Sequence, residues 1–162
     1  MRIRHATAGD RAPLHALMRR VQVFEPHEIH VAEELIEERL AGSTDYLIYV
    51  AADEEAEVDR VGTPLLGFVC YGHNPVTDAV HDIYWIVVDP SAQRRGVGRA
   101  LLCFAENRVR EMAGRAITIE TSSRPQYRAA QGLYDACGYS RVAEIADFYA
   151  PGDAMRTYMK FL

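Results

Sequence analysis

Long apolar runs are missing from this sequence: none approaches the ~20 residues needed to span a bilayer, so no membrane-crossing helix and no membrane partner are expected. The start, Met1-Arg2-Ile3-Arg4-His5, is charged but no apolar h-region follows it, so no secretion signal is expected either. Cysteine is scarce. Cys70, Cys103 and Cys137 are odd in number and far apart, which argues against a disulfide framework and against a CxxC metal knuckle. They are expected to be small buried hydrophobes in a reducing, cytoplasmic setting. A basic excess is also lacking. With a net charge of −5 there is no electrostatic footprint for a nucleic-acid partner. Repeats, low-complexity tracts and an internal domain boundary are absent, so residues 1–162 are expected to form one domain.

What is present is the make-up of an ordinary globular chain, 49% apolar and 25% charged. Residues 2–7 read as a first strand, and Thr7 or Asp10 can cap a helix reaching Val23, with Leu14, Leu17, Met18 and Val21 at helical spacing. A second helix over 27–40 places Val31, Leu35, Ile36 and Leu40 on one side, and Gly42 ends it. Strands are expected over 46–52 and 65–71, joined by a charged turn at 53–60 and paired as a hairpin. A central strand over 81–88 is rich in β-branched and aromatic residues. A helix over 98–112 follows, with Leu101, Phe104, Ala105, Val109 and Met112 inward. Then come a strand over 116–121, a helix over 127–137 closed by Gly138, and two strands over 139–148 and 155–162 around a type II turn at Pro151-Gly152. The order βααβββαβαββ predicts a mixed α/β domain.

The informative stretch runs from Val87 to Leu102: Val-Val-Asp-Pro-Ser-Ala-Gln-Arg-Arg-Gly-Val-Gly-Arg-Ala-Leu-Leu. A buried strand ends, and an amphipathic helix starts at Gly96 and Gly98. A helix start offers unpaired N–H groups and the positive end of the dipole, and glycine lets a phosphate approach them without Cβ obstruction. Arg94, Arg95 and Arg99 add cations. The segment reads as a pyrophosphate cradle, or else as an arginine-rich turn whose glycines only permit a tight corner. It is not a Walker A loop, because no Lys-Ser or Lys-Thr follows either glycine. It is not a dinucleotide fingerprint, because Leu101 stands where a third glycine is required.

Gln93-Arg94-Arg95-Gly96-Val97-Gly98 resembles the Q/R-x-x-G-x-G/A motif of the GNAT superfamily of N-acetyltransferases. About 35 residues later Leu133-Tyr134-Asp135-Ala136-Cys137-Gly138-Tyr139 is similar to that family's LY-x-x-x-GY segment. The resemblance covers nearly the whole chain in element order. It implies the GNAT fold, a twisted mixed sheet with helices on both faces, splayed near its middle where the donor enters. It implies acetyl-CoA as co-substrate, with no metal. Gln93, Arg94, Arg95, Gly96, Val97, Gly98 and Arg99 would hold the pyrophosphate, and Ile86, Val87 and Val88 would bond the pantetheine arm. Transfer would go by direct attack of a primary amine on the thioester.

Such a transfer has two proton problems. An alkyl ammonium with pKa near 10.4 is neutral in only about 1 molecule in 2,500 at pH 7, so a base must help, and the leaving thiolate benefits from a proton donor. By the resemblance Tyr134 is the candidate donor; otherwise it is a core aromatic. Glu120, late in the strand before the Tyr134 helix, is the candidate base, although Ser122-Ser123-Arg124-Pro125-Gln126 departs from the family's usual Arg and Asn region. His81 and Asp82 form a rival pair. As strand neighbours they point to opposite faces, so at most one meets the substrate. Tyr84 shares the face of Asp82 unless a bulge intervenes, and either is a candidate acceptor contact.

Phe148, Tyr149 and Asp153 near the last turn are further candidate acceptor contacts. His27 and His30 lack the HExxH spacing, so no metal site is expected there. The acidic residues from Glu25 to Glu38 are a solvated helix face or a steering field for a cationic amine. A peptide N-terminus, a lysine, a polyamine, an aminoglycoside and a small amino acid all stay open as acceptors. Dimers are common in the family. Non-catalytic acyl-CoA binding, or an interaction module without nucleotide, are the rival readings.

Overall fold

The computed structural model describes residues 1–53 and 64–162. Among them the chain order is β1 (Arg2–His5), α1 (Arg11–Arg20), α2 (Pro26–Leu40), β2 (Leu47–Ala52), β3 (Gly67–His73), β4 (Val80–Val88), α3 (Val97–Glu111), β5 (Ala116–Ser122), α4 (Arg128–Ala136), β6 (Ser140–Ala150) and β7 (Asp153–Phe161). This is the order read from the sequence. The charged turn expected at 53–60 falls, apart from Asp53, outside the described residues.

Local chemistry explains where the helices begin. A short 3-10 turn (Ala8–Asp10) leads into α1, and the Thr7 N–H and hydroxyl both donate to Asp10 Oδ2, at 2.8 and 3.0 Å. Pro26 stands in the first turn of α2, where its missing N–H costs nothing. Glu28 reaches back to accept from the Glu25 N–H at 2.7 Å, as in a capping box.

The strands form one mixed sheet in the order β1-β2-β3-β4-β5-β7-β6. All neighbours are antiparallel except β4 and β5. The α1/α2 layer covers one face through Leu14, Leu17, Met18 and Ile36, packed on Ile48, Val50, Phe68 and Val87. The other face carries Tyr49, Val69, Tyr71, Ile83, Ile117 and Ile119 under α3 and α4. Leu101 and Leu102 are fully buried there, each contributing on the order of 1.5–3 kcal/mol. Val31 and Met112, expected inward, are 52% and 45% exposed. Met112 lies just past the end of α3, and on α2 Ala32 is buried in place of Val31. Cys70 is buried as expected, whereas Cys103 is exposed and Cys137 half-buried on α3 and at the end of α4.

Two departures from regular pairing shape the centre of the sheet. Between β3 and β4 the register jumps from Cys70↔Trp85 to Tyr71↔Ile83, leaving Tyr84 as the extra residue of a β-bulge. The bulge flips the alternation. Ile83 packs on the α3/α4 face, yet Trp85 and Val87 pack on the α1/α2 face. The second departure is between the parallel strands. β4 and β5 pair only from Val80↔Ala116 to Ile83↔Ile119. Beyond that point β4 stays bonded to β3 as far as Val88, and β5 to β7 as far as Ser122. The strands therefore part while each keeps its outer neighbour, which opens a wedge through the sheet.

Candidate active site

The wedge is the middle of a cleft of about 990 Å³. On the α3/α4 side it is walled by Ile86, Val88, Leu133, Tyr134 and the start of α3. On the α1/α2 side Phe24, Glu25, Glu28, Val31 and Trp85 line it. Of the residues singled out from the sequence, Asp82, Tyr84, Ile86, Val87, Val88, Gln93, Arg94, Gly96, Val97, Gly98, Arg99, Glu120, Tyr134 and Tyr149 all line this one cleft. Arg95 does not; it is exposed beside the loop. Among the described residues no group of three or more His, Cys, Asp or Glu side chains is arranged to hold a metal.

The start of α3 has the geometry of an anion cradle. Ala100 N–H is bonded to Gly96 O at 2.9 Å, closing the first helical turn. The N–H groups of Val97, Gly98 and Arg99 precede it and have no intrahelical partner. Gly96 caps the helix with φ +83°, and Arg94 adopts φ +57°, so the turn into α3 contains two residues of positive φ. A Cβ on Gly96 would meet nothing within 4 Å, whereas one on Gly98 would sit 3.1 Å from Leu133 Cδ2 and 3.4 Å from Val88 Cγ2. The two glycines thus have different causes. Gly96 supplies a backbone conformation beside open space, and Gly98 lets α3 close against β4 and α4. At Gly98 this packing is a reason for glycine beside the expected close approach of a phosphate. Arg94 and Arg99 line the cleft with no ion-pair partner among the described residues. Behind the loop, Asp89 accepts from Ser91 N–H and Oγ at 2.9 and 2.6 Å and from Arg20 Nε at 2.7 Å, tying the turn to α1. Burial opposes ionisation of this carboxyl, but those bonds outweigh it and hold its pKa below the usual range.

Tyr134 is 4% exposed, between the rings of Tyr158 (5.4 Å) and Tyr139 (6.4 Å), and its side chain reaches the cleft. Burial, with Tyr158 nearby, raises its pKa, so the phenol keeps its proton at neutral pH. Glu120 enters from the opposite side of β5. Ile117 and Ile119 face α3 and α4, so Thr118 and Glu120 face the α1/α2 side. Glu120 is exposed and has no hydrogen bond or ion pair among the described residues. Of the rival pair only Asp82 lines the cleft; His81 is buried against the end of α3, its pKa lowered by burial and by His73. The Asp82 carboxylate accepts from Asn74 Nδ2 at 2.9 Å and from the Thr118 hydroxyl.

Several lining residues escaped the sequence reading. Tyr127, expected to start a helix, donates its hydroxyl to both Glu28 oxygens at 2.7 and 2.9 Å. Arg124 pairs with Glu25 at 3.2 Å and with Asp153 at 3.1 Å. Asp153, a candidate acceptor contact, is instead buried and also accepts from Ser122 Oγ at 2.6 Å. The only local signal for any of this was the Glu25-Pro-His-Glu28 cap; the partners on the far wall lie 99 residues away. Tyr149 stands at the rim against Phe148, with rings 5.1 Å apart, and its pKa is pushed up to about 12 by burial and by the charge of Glu120.

Residues 44–141 match the model of the acetyltransferase (GNAT) domain. A GNAT-family protein from Desulfovibrio desulfuricans is 30% identical, with 99% of this chain and 98% of that one aligned at a TM-score of 0.88. Arabidopsis thaliana NAA60, solved with a bisubstrate analogue, is 15% identical over 99% and 97% of the two chains at a TM-score of 0.79. Spermidine N-acetyltransferase from Vibrio cholerae, solved with CoA and spermine, is 17% identical over 99% and 94% at 0.76. These last two share the fold. No curated protein matches the chain in sequence. The domain match extends over more than half of the residues and the 30% identity over nearly all of them, and on that ground the chain belongs to the GNAT superfamily of acetyltransferases.

Proposed function

We propose that this acetyltransferase moves the acetyl group of acetyl-CoA onto a primary amine by direct attack, with no covalent enzyme intermediate. The observation that carries the reading is the wedge between β4 and β5. It joins a cationic helix start on one face of the sheet to a carboxylate-lined wall on the other. When bound, acetyl-CoA supplies an activated thioester. The residues present fit it: open space at Gly96, helix-start N–H groups, and Arg94 and Arg99 without carboxylate partners among the described residues suit a pyrophosphate.

Ile86 to Val88 lose their β5 partner where the wedge opens, so their backbone groups are free on that side to bond an extended pantetheine arm. Tyr134, kept protonated by burial, would donate to the departing thiolate. Glu120 would take the proton of the incoming ammonium, directly or through water, from the opposite side of β5. Entry of the two substrates from opposite faces gives the alignment that orientation catalysis requires.

An amine panel incubated with acetyl-CoA and read by mass spectrometry tests the reading. An acetylated amine with stoichiometric free CoA is expected. Acetyl-CoA that raises the melting temperature while no amine is acetylated would favour a non-catalytic CoA-binding module.

A further inference from the structure

From the wall that faces Glu120 we infer that the acceptor is an amine carried on an apolar or aromatic body, rather than a polyamine or an aminoglycoside. This rests on the amine-acetylation reading and names the class of acceptor for the same cleft. The acceptor-side carboxylates differ in what they have left to offer. Five line the cleft: Glu25, Glu28, Asp82, Glu120 and Asp153. Each of the four other than Glu120 has at least one oxygen bonded within the protein among the described residues. Glu28 accepts both the Tyr127 hydroxyl and the Glu25 N–H. Asp153 is buried on Ser122 and Arg124, and Arg124 also holds Glu25. Asp82 is bonded by Asn74 and Thr118. Only Glu120 is without a hydrogen bond or ion pair among the described residues.

Bonds within the protein take up part of a carboxylate's roughly four lone-pair sites and fix its orientation, so those four are less adaptable anchors for a second ammonium than Glu120. The charge of all five still draws cations toward the mouth, but the field raises capture rates for any ammonium and does not choose between bodies. Short-range contact makes that choice, and the surface beyond Glu120 is mostly ring and hydrocarbon. Phe24 and Trp85 meet edge to face at 5.3 Å, Phe24 and Tyr127 lie 6.4 Å apart, and Val31 and Tyr149 are about half exposed. An uncovered apolar surface of this kind within a cleft gains by accepting an apolar group. A polyamine placed there would bury its second ammonium against rings, beside carboxylates already bonded within the protein.

The experiment compares kcat/KM for 2-phenylethylamine, hexylamine, spermidine and an aminoglycoside, with acetyl-CoA saturating. It uses the wild type and Val31→Glu, which adds a carboxylate on the exposed side of α2. The two apolar amines should exceed the two polycations by at least tenfold, and Val31→Glu should move that ratio at least fivefold toward spermidine. Spermidine or the aminoglycoside turning over as fast as the apolar amines would overturn the inference while leaving amine acetylation intact. An apolar preference that Val31→Glu leaves unchanged would overturn its assignment to this wall. If no amine is acetylated although acetyl-CoA raises the melting temperature of both proteins, the inference falls together with the amine reading.

Discussion

The two halves of the cleft are built in opposite ways. On the donor side, the residues from Ile86 to Arg99 follow one another along a strand, a turn and a helix start. What they present is mostly backbone: N–H groups, a left-handed glycine and two arginines with no ion-pair partner among the described residues. The opposite wall is assembled from Phe24, Glu25, Glu28, Asp82, Tyr84, Trp85, Glu120, Arg124, Tyr127 and Tyr149, side chains drawn from separate parts of the chain. A phosphate binder can be local because helix geometry aims consecutive amides at one point. An amine pocket needs a carboxylate, rings and a proton acceptor pointing inward together, and no short segment can aim all of these at one place.

The contrast can be broken most forcefully at Tyr134, where the halves meet. Tyr134→Phe keeps the ring and removes the donor, so kcat should fall by roughly 10²–10⁴-fold under single-turnover conditions. Calorimetric affinity for acetyl-CoA should barely change. Because burial raises this phenol's pKa above its ordinary value near 10, the wild-type rate should not decline on its account as pH rises through neutrality. Wild-type turnover in the variant would return Tyr134 to packing alone.

Next in size is the carboxylate assignment. With an ammonium acceptor, kcat/KM should rise with pH and level off, and Glu120→Gln should lower the plateau by about 10²-fold. Asp82→Asn should cost less than Glu120→Gln, because Asp82 is already bonded by Asn74 and Thr118. A reversed ranking of the two profiles would move the base from β5 to β4.

On the donor side the two glycines should fail differently. Gly98→Val forces a branched side chain against Leu133 and Val88, and overpacking of this kind costs about 1–3 kcal/mol. It should lower the melting temperature by about 2–4 °C for each kcal/mol. CoA affinity should drop with it by at least tenfold, about 1.4 kcal/mol. Gly96→Ala has room for its methyl but must hold φ +83°, a strain of about 1–2 kcal/mol. That strain should lower its melting temperature too, by less than the clash at Gly98, and calorimetry should find a loss of CoA affinity beside it. Equal melting temperatures for the two variants would remove the distinction.

The smallest expected effect is at Asp89, which fastens the cradle turn to α1. Its folded pKa is depressed, so its contribution to stability is complete above the ordinary carboxylate value near 3.9 and is lost as pH falls through the lower folded value. Asp89→Asn should therefore reduce stability at neutral pH by about 1 kcal/mol and flatten the acid limb of the stability curve. Urea midpoints between pH 3 and 7 would show this. A parallel curve would mean that Arg20 and Ser91 hold the amide as well as the carboxylate.

The sequence by itself determined the element order, the strand-turn-helix stretch from Ile86 to Arg99 and the elements that carry Tyr134 and Glu120. Each of these rests on interactions within a few residues: periodicity, caps, and a glycine motif beside a strand end. It did not determine the parity of β4. Tyr84 as a bulge moves Trp85 and Val87 onto the α1/α2 face, and that depends on how β3 pairs across from Cys70 and Tyr71. Nor did it show that Gly98 is there for Leu133, that Asp153 is spent on Ser122 and Arg124, or that Tyr127 occupies Glu28. Which carboxylates remain free is a question about partners up to 99 residues apart. Only the closed sheet and its two helix layers bring those partners within hydrogen-bonding distance, so only the tertiary structure decides what the acceptor side has left to offer.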